Sequence, residues 1–213
     1  MIKTTKKTWR SVLMTLISSG ILVTGCQSEL AYAAKPASAP KASASSKNQQ
    51  SLINQAKQIQ TSLARGQFAN IINDIHPTRG VRFSMYGYVQ PKSDKVFSRA
   101  QFAQYLKESK IRFTWGTLDG VGDPLIIPLP KYLNDWVAAK IFNHATISVN
   151  EFKASGNSIN NIKKVYPNAD IVEFYFSGTQ KYDGIDWRAM RLVFETYQGQ
   201  RYLVAIVNDQ WTV

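Results

Sequence analysis

Apolar residues recur every three or four positions after Ser51: Leu52, Ala56, Ile59 and Leu63 share one helical face, and Gly66 supplies a stop. Phe68, Ile71, Ile72 and Ile75 predict a second short helix that His76-Pro77 ends. Ser98-Arg99-Ala100-Gln101 has the form of a capping box and opens a third, with Phe97 placed to staple onto Phe102. Pro130 fits the first turn of a fourth, which presents Leu133, Trp136, Val137 and Ile141. Asn157 is the expected cap of a last helix through Ile159, Ile162 and Val165, ended at Tyr166-Pro167.

The period then changes to two. In "DIVEFYFSG" (170–178), Val172, Phe174 and Phe176 alternate with Ile171, Glu173 and Tyr175. "ATISVNEF" (145–152), "DWRAMRLVFETY" (186–197) and "RYLVAIVNDQWTV" (201–213) read as further strands, the last two joined at Gln198-Gly199. Helices first and a meander of antiparallel strands later predict an α+β domain over residues 51–213.

A two-residue turn at Gln198-Gly199 sets a register. Tyr197 faces Gln200, Phe194 faces Leu203, Leu192 faces Ala205 and Met190 faces Val207, an apolar stripe. Continued outward, Arg188 meets Asp209 and Asp186 meets Trp211, as at the mouth of a pocket. The plainer reading of that pair is a cross-strand ion bridge worth about 0.2–1 kcal/mol. A four-residue loop would keep this register, whereas a turn of three or five residues would insert a bulge and shift the pairing by one.

The first 50 residues follow neither period. Lys3, Lys6, Lys7 and Arg10 precede an apolar run from Val12 to Val23, too short for a comfortable span and arranged as an export signal. Val23-Thr24-Gly25-Cys26 resembles the lipobox of bacterial lipoproteins, and Cys26 is the only cysteine of the chain. The resemblance implies cleavage before Cys26 and a diacylglycerol thioether on it. At ~0.8 kcal/mol per buried methylene, two or three acyl chains hold a protein on a bilayer. Ala31-Tyr32-Ala33 is a competing site that would release a soluble product. Gln27 after the cysteine implies the outer membrane facing the periplasm, or the outer face of the cytoplasmic membrane in a cell with only that one. Residues 26–50, rich in Ala, Ser, Pro and Lys, read as a disordered tether.

The chain has 26 basic and 14 acidic residues. Export and the absence of RNA-recognition or zinc-finger signatures argue against nucleic acid as the partner of that excess. Anionic headgroups or wall polymers suit it better, and a soluble surface needs no partner at all.

The leading helices, the middle helix and the terminal "MRLVFETYQGQRYLVAIVND" resemble the nuclear transport factor two-like, or SnoaL-like, α+β cone. That resemblance implies helices packed on a strongly bent antiparallel sheet around a pocket, ending in a long β-hairpin. "IHPTRGVRFS", "TWGTLDGVGDPL" and "DGIDWRAMRLVFE" also resemble exported bacterial proteins without an assigned activity. Residues 78–97 and 157–166 are additions to the minimal cone.

Candidate chemistry is sparse. His76 is a conceivable general base beside Asp74, though helix termination explains it as well; His144 is the only other histidine. Two histidines without cysteine ligands or a close acidic cluster give no zinc spacing. Asp119 and Asp123 in "LDGVGDP" offer an acid–base pair, against which stands ordinary turn chemistry. Ser84 has no nucleophile motif behind it, and no cofactor signature is present. The fuller signal is aromatic and arginine density: Arg188, Asp209, Asp186, Trp211, Trp187, Arg82 and Tyr86 are the expected ligand contacts. Core packing is the competing use of the rings. The expectation is a lipid-anchored, non-catalytic envelope domain that binds an apolar or anionic ligand or an envelope protein. A hydrolase using Asp119, Asp123 or His76 and a purely structural envelope protein are the alternatives.

Overall fold

Six of the strands assemble one sheet, and the first helix buries one face, Leu52, Ala56, Ile59 and Leu63, in the core beside it. The computed structural model describes residues 41–108, 110–154 and 159–212. Cys26, the expected export signal and the first part of the expected tether lie outside these. The helix expected near Ser51 starts earlier, at Lys41, and α1 runs Lys41–Ala64. Residues 41–50, expected to be disordered, are therefore helical. Leu52, Ala56, Ile59 and Leu63 are buried as their spacing predicts. A 3-10 segment, Phe68–Asp74, follows. In α2, Arg99–Lys107, both bonds of the Ser98 capping box form. Phe97 and Phe102 meet through Phe83, which has ring centroids 5.8 and 6.2 Å from theirs.

The fourth expected helix is broken. One turn, α3 (Leu129–Lys131), widens into a π-helical segment at Tyr132–Val137, and Ala138 ends it at φ +47°. A 3-10 segment, Ala139–His144, continues in a new direction, leaving Ile141 exposed. The last helix, α4, spans Ile162–Val165. Asn157 falls outside the described residues, and Ile159 is exposed rather than buried. Asn161 instead clamps Val89, its amide and carbonyl bonding the Val89 backbone oxygen and nitrogen at 2.9 and 2.8 Å.

The strands are β1 (Val81–Ser84), β2 (Lys95–Phe97), β3 (Phe113–Thr117), β4 (Pro124–Ile127), β5 (Thr146–Val149), β6 (Asp170–Phe176), β7 (Arg188–Tyr197) and β8 (Gln200–Gln210). Six form a sheet in the order β2-β1-β8-β7-β6-β5, while β3 and β4 pair separately. The expected antiparallel sheet is in fact mixed, because β1 runs parallel to β8. Most of the chain lies between those two strands and provides the crossover a parallel pair requires.

Both faces of the sheet are covered. Val172, Phe174, Met190, Leu192, Phe194, Leu203 and Ile206 join the helices in the main core. On the opposite face Ile171, Val193, Ala205 and Val207 pack under Val89, Ile162 and Tyr166. Val89 and the segment around α4 thus contribute to the outer layer. Two-sided burial is why β7 reads as an apolar run instead of a clean alternation.

The hairpin turn has φ +51° at Gln198 and +78° at Gly199, the mirror-image turn that matches strand twist. Tyr197 pairs with Gln200 and Phe194 with Leu203, as predicted. Val204 is then an extra residue: Val193 pairs with Ala205, and everything beyond is shifted by one.

Candidate functional site

The shift dissolves the expected pocket mouth. Arg188 pairs with Gln210, and Asp209 pairs with Ala189 on the other face of the sheet. Arg188 lies on the core face, where its Nη2 donates to the Trp136 carbonyl at 2.6 Å and desolvation lowers its pKa. Asp186 does not oppose Trp211. It accepts from the Thr179 backbone N–H at 2.7 Å and the Thr179 hydroxyl at 2.9 Å, bonds that hold its carboxyl below the usual range. Trp187 is buried with Ala154, Ala189 and Tyr175 on the outer face, and Trp211 is partly exposed beyond β8.

Asp209 has a different cation. Arg191, fully buried, donates from Nη1 to Asp209 and from Nε to Glu173, each at 2.8 Å. Glu173 accepts in addition from the Lys153 and Ala154 backbone N–H groups. The guanidinium lies 5.0 Å from the Phe152 ring. Sequence reasoning passed over this triad, yet both signals were present: a lone Arg inside "AMRLVF" and a lone Glu inside "IVEFYF". A charge on a doubly buried strand must find its counter-ion inside. The arrangement is closed and structural, and it fastens residues 152–154 to the sheet. Gly87 lies against it, since a Cβ there would come 2.6 Å from the Asp209 carboxylate.

An open cleft occurs where β1 runs out of the sheet. Residues 85–95 form one wall, and β3 with its loop to β4 forms the other. One part, about 310 Å3, is lined by Tyr86, Tyr88, Gln90, Asp94, Trp115 and Thr117 among others. A second, about 520 Å3, shares Tyr86, Tyr88, Gln90 and Thr117 and reaches Asp119 and Thr212. Tyr86 is fixed: its ring meets Trp136 edge-on at 5.6 Å and its hydroxyl accepts from the Asp119 N–H at 2.9 Å. Tyr88 is 49% exposed. Asp94 accepts from the Ser84 hydroxyl and the Gln90 N–H, both through Oδ2, and burial raises its carboxyl pKa. Arg82 Nη1 lies 4.0 Å from the same oxygen.

The remaining candidates are scattered. His76 is buried against Tyr197, and its Nδ1 accepts from the Thr78 and Arg79 N–H groups at 3.3 and 3.1 Å. Those bonds require the neutral ring, and burial lowers its pKa accordingly. Asp74, its proposed partner, instead accepts from Gln55 at 3.1 Å. Asp119 and Asp123 occupy the turn closed by the Leu118 N–H on the Asp123 carbonyl, and only Asp119 borders the cleft. Arg82 donates to the Tyr166 hydroxyl at 3.0 Å on the outer face, and His144 is exposed. Among the described residues no group of His, Cys, Asp and Glu could hold a metal ion. No helix among them is long and apolar enough to cross a membrane.

A wider groove of about 980 Å3 runs between α1 and the hairpin turn, lined by Gln50, Asn54, Gln55, Gln58 and Arg201 among others. Its side chains already bond one another, as Arg201 does Asn48 at 2.6 Å, and no aromatic ring lines it. The cleft at β1 is therefore the better candidate. Compared with known proteins, the chain matches no family model, no curated protein and no solved structure.

Proposed function

We propose that the chain is exported, lipidated on Cys26 and held on an envelope membrane, where the folded domain serves as a non-catalytic binding module. The observation that carries this reading is the position of the cleft. α1 reaches Arg201 beside the hairpin turn, whereas the cleft borders Tyr86 and Thr212 beyond the other end of the same sheet. The chain thus enters the domain at one end and offers its open aromatic cleft at the other. The hydrolase alternative has less support, because His76 is committed to a turn and lies apart from the cleft-lining Asp119.

The packing of α1 and the middle helices on one face of a mixed six-stranded sheet, and the bulge in its terminal hairpin, support the cone-like fold. Fully buried Phe83, Phe102 and Tyr132 occupy the space beneath the helices, with Trp115 stacked on Tyr132 at 3.7 Å. A ligand is therefore taken at the rim and not inside.

Cell fractionation and mass spectrometry of the amino-terminal peptide test the anchor. The expected result is an acylated terminus at Cys26 and loss of membrane retention in Cys26→Ala. A free terminus at Ala34 with unchanged location of the variant would overturn it.

A further inference from the structure

We infer that the cleft between residues 85–95 and β3 binds a short stretch of uncharged glycan, with sugar rings laid on Tyr88 and hydroxyls bonded to Asp94 and its neighbours. The inference rests on the binding-module reading and names the ligand class of that same cleft.

A sugar ring presents two chemistries together. One is a face of C–H groups, which needs an aromatic plane; the other is a rim of hydroxyls, each able to donate and accept. The cleft supplies both. Tyr88 is half exposed, while its cleft neighbours Tyr86 and Trp115 are packed edge-on or stacked against other rings. Asp94 lines the cleft with its carboxylate held through Oδ2 by the Ser84 hydroxyl and the Gln90 N–H, and with Arg82 4.0 Å away. Gln90 accepts from the Ser93 hydroxyl through Oε1, which leaves its amide N–H groups as donors. Thr114 and Thr117, both exposed, bring hydroxyls from the facing wall. Both parts of the cleft fall in the range of small-molecule sites, and they share four residues, so the opening is elongated.

Other ligand classes fit worse. An apolar ligand needs enclosure, and the interior beneath the helices is occupied by buried rings. An anion would meet Asp94 and Asp119 with Lys95 as the one cation lining the cleft. An extended peptide would add to the edge of β3, but the ladder shifts between Thr114 and Thr117, which breaks the regular row of backbone groups. A neutral, hydroxyl-rich chain is what remains.

The test uses the full chain in detergent, titrated by calorimetry with chitotriose, maltotriose and cellotriose. In parallel, retention of the same protein is measured on envelopes stripped of lipid, where the acyl anchor has no bilayer to enter. At least one saccharide should bind and compete with envelope retention. Tyr88→Ala should weaken both about tenfold, the loss expected for one aromatic face. Because Tyr88 is exposed, its thermal midpoint should not move, and Tyr88→Phe should restore binding. Asp94→Asn serves as a second variant, read only if it folds. Envelope retention that depends on Tyr88, is untouched by every saccharide and is abolished by protease treatment of the envelopes would overturn the glycan and leave a protein-binding module. Absence of retention, or retention indifferent to Tyr88, would overturn the cleft as a binding site altogether.

Discussion

Arg191 and Arg188 lie three residues apart on β7 and have opposite fates. Arg191 is buried between two carboxylates on the outer face; Arg188 emerges at the end of the core face and ties down the Trp136 carbonyl. Removing one member of a buried ionic cluster leaves uncompensated charge, so Arg191→Ala should cost about 3–5 kcal/mol in urea unfolding. A double-mutant cycle between Arg191 and Asp209 should give a coupling above about 1 kcal/mol. The same cycle between Arg188 and Asp209 should give about zero, because they lie on opposite faces. A sizeable Arg188–Asp209 coupling would mean that the bulge at Val204 is absent in solution.

His76 adds a pH dependence at the same scale. Burial lowers its pKa below the ordinary 6.5, opposed by Glu195 and assisted by Arg79 and Arg99. The unfolded chain then binds the proton more readily, and stability is full above the unfolded value and lost as pH falls through the folded one. Burial raises Asp74 and Asp94, whose contributions have the other sign, so the comparison must be with a variant. His76→Asn keeps an acceptor for the turn but does not titrate. Between about pH 7.5 and about pH 5.5 the wild-type urea midpoint should fall more than that of the variant. Equal slopes would show that His76 is not held neutral.

At the scale of elements, local grammar was sufficient where a motif is complete in itself. The capping box forms as written, and Ser98→Ala should cost about 1 kcal/mol. The turn at Gln198-Gly199 also forms as written, since two positive φ angles favour so few residues. The bulge gave no such notice: Val204 is as apolar as its neighbours, and only the pairing of Val193 with Ala205 reveals it. Strands β1 to β4, each of three to five residues, were too short for period-two alternation to register. The early start of α1 has a different cause. Residues 41–50 contain no Gly and no Pro after Pro40, so a helix nucleated over Ser51–Ala64 can propagate backwards through them. Side chains 45–51 are exposed, and Asn48 bonds Arg201. A chain beginning at Ser51 should lose no more than about 1 kcal/mol in denaturant unfolding. A larger loss would make those turns part of the fold rather than an extension of it.

At the scale of the whole molecule, the sheet is a wall with a layer on each side; the triad lies on the outer face and the cleft opens where β1 ends. Gly87 connects them, since it passes the Asp209 carboxylate between the cleft residues Tyr86 and Tyr88. Gly87→Ala should therefore disturb both, lowering the unfolding midpoint and the occupancy of the cleft together. If only stability changes, the cleft wall is held by other contacts. By itself the sequence determined what depends on near neighbours: the α+β class, the helical faces, the alternation of β6 and the hairpin turn. It also marked its charged exceptions, Glu173 and Arg191, without saying what they meet. Tertiary structure alone decided the parallel pairing of β1 with β8, the face on which Asp209 lies and the assembly of Tyr86, Tyr88 and Asp94 into one cleft. The physical reason is that a strand's period records only that successive side chains alternate. Which face meets which layer is fixed by pairings between residues distant in sequence, and one unmarked extra residue is enough to exchange the two.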